Sequence, residues 1–408
     1  MNSAFLAAGQ STRLKPITHR TPKPFLQFIG KPFLTHLIEQ HQEAGVDPRY
    51  IVISPSFKDF FKNYFLNFDL LTQDKPLGTA DAARIALQAS EKPLLVQYGD
   101  NLVLSSAVRR LLEAHRGQVA TVGVLRVTDP TKYGVVEISK EGNLVKVTEK
   151  PYNPIHNLVL GGVYIFEPDF NQYLENVSLS PRGELELTDA LNSAAVKSDI
   201  NVVILNDNEW YDLTYPWDIL RINNVLMQDL QAKAEGEIQS SVHINGAVSL
   251  GAGSVIKSGS YIEGPVWVGR DVTIGPNAYL RPFTSIADNS KIGNACEVKN
   301  SVIYTGVHIS HLSYVGDSVI AENTNLGAGT ITANLRFDEK PINVHVADKS
   351  INTGLVKLGC FIGPDVKTGV NVTINPGVKI GAGARIYPGC VVTRDVLDNE
   401  FYMCNSNS

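Results

Sequence analysis

Residues 242–298 read VHINGAVSLGAGSVIKSGSYIEGPVWVGRDVTIGPNAYLRPFTSIADNSKIGNACEV. Counting in sixes from Ile244 gives Leu250, Ile256, Ile262, Val268, Ile274, Leu280, Ile286, Ile292 and Val298. Two places before each stands a small or β-branched residue: Val242, Val248, Ser254, Ser260, Val266, Val272, Ala278, Thr284, Ser290 and Cys296. A helix repeats its apolar face about every 3.6 residues and a half-exposed strand every second residue, so neither explains this rhythm. The pattern breaks, then resumes at Ile374, Ile380, Ile386 and Val392. Repetition at a fixed period means a solenoid, and hexapeptides mean a parallel β-helix.

Upstream the rhythm is different. AFLAAG, YIVISP (50–55), PLLVQYGD (93–100) and VATVGVLRV (119–127) read as buried strands bounded by turn residues. Between them PFLTHLIEQHQEAG and TADAARIALQAS carry helical spacing, the first ending on Gly45. Strand–helix alternation predicts a mostly parallel sheet covered on both faces, with ligands beyond the carboxyl ends of its strands. A helical pattern at 217–236 separates the halves, which gives an α/β domain over 1–235 and a β-helix domain over 236–408.

The 408 residues carry a net charge of −5, so bulk electrostatics point to neither nucleic acid nor a membrane surface as partner. No stretch approaches the roughly 18 apolar residues of a membrane span, and MNSAFLAAG lacks the basic flank of a signal peptide. A cytoplasmic protein is expected. Cys296, Cys360, Cys390 and Cys404 show no metal-type spacing and are expected to be reduced.

Against that acidic background, residues 6–24 (LAAGQSTRLKPITHRTPKP) gather Arg13, Lys15, Arg20 and Lys23 behind a strand and a glycine turn, with prolines keeping the segment non-helical. Main-chain N–H groups at such a turn make an anion pocket, and flanking cations can neutralise a polyphosphate. Asp100 at a strand end is a candidate carboxylate for Mg²⁺, which takes one or two carboxylates plus phosphate oxygens.

The order AAGxSTRLxPxTxxxPKP resembles the signature of the sugar-phosphate nucleotidyltransferases, with Ser11 where that family prefers its second glycine. The resemblance implies that Ala8 and Gly9 line the nucleotide site, that Arg13 serves the leaving pyrophosphate and that Lys23 serves the reacting phosphates. QDKPLGTADA (73–82) resembles the family's base-reading segment, with Gln73 on a uracil or thymine edge and Gly78 and Thr79 admitting the base. YGDN (98–101) and WYDLTYPWD (210–218) resemble its metal segments, pairing Asp100 with Asp212. YGVVE and TEKP suggest Gly134 and Glu149 at the sugar, whereas Leu160-Gly161-Gly162 stands where the family often shows Asn-x-Gly.

The repeats resemble the left-handed β-helix of the hexapeptide acyltransferases, which implies a homotrimer. Residues 299–340 are similar to the acetyltransferase half of the bifunctional, archaeal-type enzymes that make UDP-N-acetylglucosamine. The implied roles are general base for His311, phosphate or sugar contacts for Arg281 and Lys299, and an amino-sugar and acetyl-CoA pocket from Tyr314, Asn325, Ala328, Asn334 and Lys340. Pro364 and the proline in ARIYPG depart from the bacterial pattern at positions that touch CoA there. The expected activity is acetylation of glucosamine 1-phosphate by acetyl-CoA, then joining of the product to UTP (or dTTP) with Mg²⁺. The alternatives are a nucleotidyltransferase whose β-helix only oligomerises or regulates, and a non-enzymatic assembly or sensor subunit.

Overall fold

The computed structural model describes residues 1–9, 11–347 and 349–404. Contacts divide the chain into two compact units that do not follow chain order: Met1–Gln10 with Leu34–Asp212, and Ser11–Phe33 with Leu213–Ser408.

The first unit is built on one mixed sheet. Strands Asp69–Thr72, Asp47–Ile53, Asn2–Leu6 and Leu94–Tyr98 lie side by side and parallel. Leu158–Phe166 then pairs antiparallel with Leu94–Tyr98, with Ala120–Arg126 and with Gly134–Ile138. The expected strands and both helices are present, the latter as Phe33–Glu43 and Thr79–Gln88. The sheet is less uniformly parallel than strand–helix alternation predicts, because Ala120–Phe166 contains hairpin-type connections without helices.

A polar thread crosses this apolar core. The buried His41 ring lies 2.9 Å from Ser3 Oγ and 2.7 Å from Gln97 Oε1, and Gln97 Nε2 donates to the Asn101 carbonyl at 2.8 Å. Helix Phe33–Glu43 is thereby tied to two neighbouring strands and to the chain just beyond Asp100.

The second unit is a left-handed parallel β-helix of hexapeptide repeats with three faces. The six-residue series from Leu250 to Val298 forms one buried column, each member 2% exposed or less, which continues through Ile303, Ile309, Val315, Ile320 and Leu326. Inward-facing hydroxyls satisfy the corners: Ser254 Oγ donates to Gly269 O at 2.7 Å and accepts from the Val272 N–H at 2.9 Å. Early coils pair residues eighteen apart, as Val248 with Val266, the middle ones seventeen apart, as His308 with Asn325, and later ones eighteen again, as Phe361 with Lys379. The interruption is an excursion between Thr332 and Phe361 that carries the hairpin Asn343–Val346 with Lys349–Asn352.

Two expectations are corrected. The helix at 217–236 stops at Met227, because Lys233–Ala234 already pairs with Ser249–Leu250 as a β-helix strand. Cys390 and Cys404 are bridged, with Cα atoms 5.3 Å apart. Strand Phe401–Tyr402 returns along the final coil and brings two cysteines together that no spacing rule joins. Among the described residues no helix is long and apolar enough to cross a membrane.

Burial holds the His41 ring neutral, with its pKa lowered from 6.5 to about 4. Between those values the unfolded chain binds a proton that the folded ring refuses, so stability falls as pH drops through this window. The slope contributed approaches about 1.4 kcal/mol per pH unit. Urea unfolding of strand Asn2–Leu6, followed by pulsed hydrogen exchange at a fixed labelling pH, should show a lower midpoint at pH 5 than at pH 7. His41→Asn should flatten that difference; an unchanged slope would remove His41 as its cause.

Candidate active sites

In the first unit, strand Leu94–Tyr98 ends in a tight turn at Gly99, where an added Cβ would lie 3.0 Å from Leu6 O and 3.2 Å from the Ala7 side chain. Asn101–Val103 then pairs antiparallel with Trp210–Asp212, which sets Asp212 opposite Asn101, the residue after Asp100. Two carboxylates far apart in sequence thus share one short ribbon. Asn101 bridges it: with its amide oriented to satisfy both ends, it donates to Asp100 Oδ1 at 2.5 Å, and its oxygen, 3.0 Å from Trp210 Nε1, shares that single N–H with Gly161 O. Tyr133 donates to Asp212 Oδ2 at 3.1 Å. These are hard oxygen donors suited to Mg²⁺. Among the described residues no group of three or more His, Cys, Asp or Glu could hold a metal.

Gln73 is buried and spends both amide N–H groups inside its loop, on Gly78 O and Asp81 Oδ2, each at 3.0 Å. That leaves its carbonyl oxygen as the acceptor end of the amide. Gly78 has φ +119°, and an added Cβ would come 2.7 Å from Leu185 N, so only glycine suits the entry to helix Thr79–Gln88. Thr79 Oγ1 accepts from the Leu187 N–H at 3.1 Å. Ala8 and Gly9 follow strand Asn2–Leu6 directly, and an added Cβ at Gly9 would meet nothing within 4 Å.

At the expected sugar site, Gly134 has an internal reason to be small, because a Cβ would crowd Leu160, Val147 and Thr188 at 3.1–3.2 Å. Glu149 lies 3.3 Å from both Lys150 Nζ and Arg182 Nη2. Arg182 also pairs with Glu186 at 2.5 Å, and sequence reasoning missed it because its segment matches no motif. The Leu160-Gly161-Gly162 departure is a bulge. Gly162 has φ +69° and lets the Tyr98 ring approach, while Gly161 O accepts from Trp210 Nε1 at 2.7 Å.

Arg13 and Lys23 belong to the second unit, unlike the other nucleotidyl-transfer candidates. Each lies in a short 3₁₀ turn, Thr12–Leu14 and Lys23–Phe25. Ser11 has φ +56°, a left-handed conformation that explains a preference for glycine there.

Further along the β-helix, three polar residues meet at one that sequence reasoning did not single out. Buried Asp317 lies 3.2 Å from Lys299 Nζ, accepts from Asn300 Nδ2 at 2.7 Å and from Asn334 Nδ2 at 2.5 Å. Asn334 also donates to Tyr314 Oη at 3.1 Å. Burial, and next the Asp317 carboxylate, push the Tyr314 hydroxyl above its ordinary pKa. Arg281 pairs with Glu297 at 2.9 Å and lies over the Tyr279 ring. Glu297 is the register partner of Tyr314, which puts this ion pair one coil below it. Asp317 hides in sequence because it occupies a left-handed corner (φ +49°), as do Asn289, Asp365 and Asn371, where Asp and Asn are favoured for backbone reasons alone.

His311 is exposed and ends strand His308–His311, and the Gly329 N–H donates to its carbonyl at 3.1 Å. Asn325 pairs with His308 in the same ladder, so Ala328 sits one coil beyond His311. Gly327 and Thr330 spend their N–H groups on Thr368 Oγ1 and Gly327 O, and among the described residues no hydrogen bond engages the Ala328 N–H. Lys340 lies exposed in the excursion, and among the described residues no hydrogen bond or ion pair joins it to the Asp317 cluster. Pro364 sits on a corner that lies against the loop around Pro16, where an added Cβ at Gly363 would come 3.1 Å from the Pro16 side chain.

The nucleotidyl transferase family model matches residues 3–229. The chain is 43% identical over 98% of its length to the bifunctional sugar-1-phosphate nucleotidylyltransferase/acetyltransferase of Sulfurisphaera tokodaii, all of which is covered. It therefore belongs to the bifunctional nucleotidyltransferase/acetyltransferase family. The bifunctional protein GlmU of Methanocaldococcus jannaschii is 37% identical over 98% of this chain and 97% of its own. A low-salt glycan biosynthesis nucleotidyltransferase of Haloferax volcanii, Agl11, is 28% identical over 80% of this chain and 94% of its own. In the second half of this transferase, a GMPPB C-terminal domain model matches 262–356 and a bacterial transferase hexapeptide model matches 359–394.

The Asp317 cluster predicts a selective defect. Asp317→Asn removes the charge that fixes Lys299 and should lower acetyl transfer from acetyl-CoA about 10²-fold through misplacement of the pocket. Thiol release measures it; wild-type rates in a folded variant would remove Asp317 from the site.

Proposed function

We propose that residues 1–235 transfer UMP from UTP to N-acetylglucosamine 1-phosphate, and that residues 236–408 make this sugar by acetylating glucosamine 1-phosphate. The observation that supports the acetyltransferase half best is the Asp317-centred convergence of Lys299, Asn334 and Tyr314, which a purely oligomerising solenoid has no need to build.

In acetyl transfer, Arg281 and Lys299 provide fixed cations for the sugar phosphate without a metal, and Lys340 adds one from the excursion. His311 takes the ammonium proton so that nitrogen can attack the thioester. The Ala328 N–H steadies the oxyanion that forms. Asn325 and Tyr314 orient the sugar.

In nucleotidyl transfer, a sugar phosphate oxygen attacks the α-phosphorus and pyrophosphate leaves. Ala8 and Gly9 admit the triphosphate, Lys23 steadies the reacting phosphates and Arg13 the leaving group. Gln73, Gly78 and Thr79 hold the base, and Gly134 and Glu149 border the sugar. Asp100 and Asp212 would hold Mg²⁺, which when bound stabilises charge on the phosphate oxygens. We place both reactions in the cytoplasm and the chain in a homotrimer, because flat β-helix faces suit burial against two copies.

Pyrophosphate release from UTP or dTTP, assayed with a panel of sugar 1-phosphates, tests the assignment. Asp212→Ala should lower release by orders of magnitude with the fold intact; wild-type release would end the metal assignment. His311→Ala should suppress thiol release roughly 10²–10⁴-fold and leave UTP-dependent release from a pre-acetylated sugar nearly unchanged. No thiol release from wild type with glucosamine or galactosamine 1-phosphate would reduce the β-helix to a scaffold. Sedimentation at micromolar concentration should give a trimer, and a monomer would count against it.

A further inference from the structure

The loop Ser11–Phe33 has little regular structure of its own: three short 3₁₀ turns and the small hairpin of Gln27–Phe28 with Lys31–Pro32. A segment of this kind takes its shape from what it lies on, and it lies on the β-helix. Arg20 pairs with Asp365 at 2.5 Å, Thr21 Oγ1 donates to Glu322 Oε1 at 3.4 Å, and His19 Nδ1 is 3.4 Å from Asp398 Oδ2. Corner hydrogen bonds align the three acids. The Asp365 N–H donates to Glu322 O at 2.9 Å, while Gly383 and Asn399 donate to Pro364 O and Ala382 O at 2.8 Å. Glu322 and Asp365 thus lie on successive coils of one corner, and Asp398 lies on it beyond the intervening coil at Ala382–Gly383. Two close approaches seat the loop between them: Pro16 on Gly363, and the turn at Gly30, where an added Cβ would lie 2.7 Å from the Trp267 ring.

We propose that this corner is a positioning element for nucleotidyl transfer: Asp365, with Glu322 and Asp398, holds loop 11–33 through Arg20, Thr21 and His19 and so sets the conformation of the segment that carries Arg13 and Lys23. The inference rests on the nucleotidyl-transfer reading above. It divides the loop's positive charge by task, with Arg20 engaged in docking and Arg13 and Lys23 in phosphate chemistry. The Arg20 and Asp365 side chains are 60% and 32% exposed, so their pair adds little to global stability. Its leverage is on where the loop sits, and a small displacement of catalytic cations is costly in rate. The acetyltransferase domain would then serve the other reaction without touching its substrates.

A charge swap in the full-length protein tests this. Asp365→Arg and Arg20→Asp should each raise the KM for UTP or lower kcat/KM for pyrophosphate release about 10-fold, and the double variant should return to within about 2-fold of wild type. Thiol release from acetyl-CoA and glucosamine 1-phosphate should stay at the wild-type rate in all three. Amide exchange in residues 12–26 should rise in each single variant and fall back in the swap. Equal loss of both activities without rescue would mean that the corner merely holds the β-helix together, and the proposal would fall. Wild-type pyrophosphate release despite a loosened loop would overturn it as well. Pyrophosphate release from wild type is the control: its absence would defeat the functional reading, whereas its presence with indifferent variants defeats only this inference.

Discussion

A backbone that turns every six residues finds its hydrogen-bond partners only on the coil before or after it. That constraint governs the second unit. Each face must keep its apolar residue inward and its register intact, so irregularity is expelled to the corners. Val319 pairs with Phe361 across the long excursion as directly as Val302 pairs with Val319. The candidate functional residues collect where faces end or shorten: Asp317 on a corner, His311 at a strand end, Asn334 where the excursion leaves.

The two halves meet the same problem, a sugar phosphate, with different physics. The first offers two carboxylates on a short ribbon, which suit a divalent ion shared with a polyphosphate. The second offers fixed cations held by buried acid. Lys299 on Asp317 is oriented at the cost of desolvating the carboxylate, which the amides of Asn300 and Asn334 offset. One Asp317 replaces what would otherwise be several flexible side chains finding their own positions.

Much of this was legible in the residues. The period of six announced the β-helix because it can be produced by little else, and the buried column follows it from Leu250 to Val298 residue by residue. The pairing of Asp100 with Asp212 as metal ligands came from motif likeness alone; the structure pairs Asp212 with Asn101, the residue after Asp100. Asp317 stayed hidden because an aspartate at a left-handed corner already has a backbone reason to be there. Arg182 stayed hidden because its partners, Glu149 and Glu186, become neighbours only after the sheet forms. The bridge between Cys390 and Cys404 depends on a strand returning along the last coil, which spacing does not encode. Gly134, read as a sugar contact, is required at least as much by Leu160 and Val147.

The end of the β-helix has a consequence of a different kind. A stack of parallel strands finishes on unpaired N–H and C=O groups, a ready template on which another chain could add itself and continue the column. Here strand Phe401–Tyr402 lies along Arg385–Ile386, Tyr402 plugs the apolar interior, and the bridge to Cys390 fastens the segment down. Ile380 is covered in turn by a single parallel bridge to Val396. Among the described residues this segment covers two of the three faces at that end, which leaves less unpaired backbone there for another chain to add to.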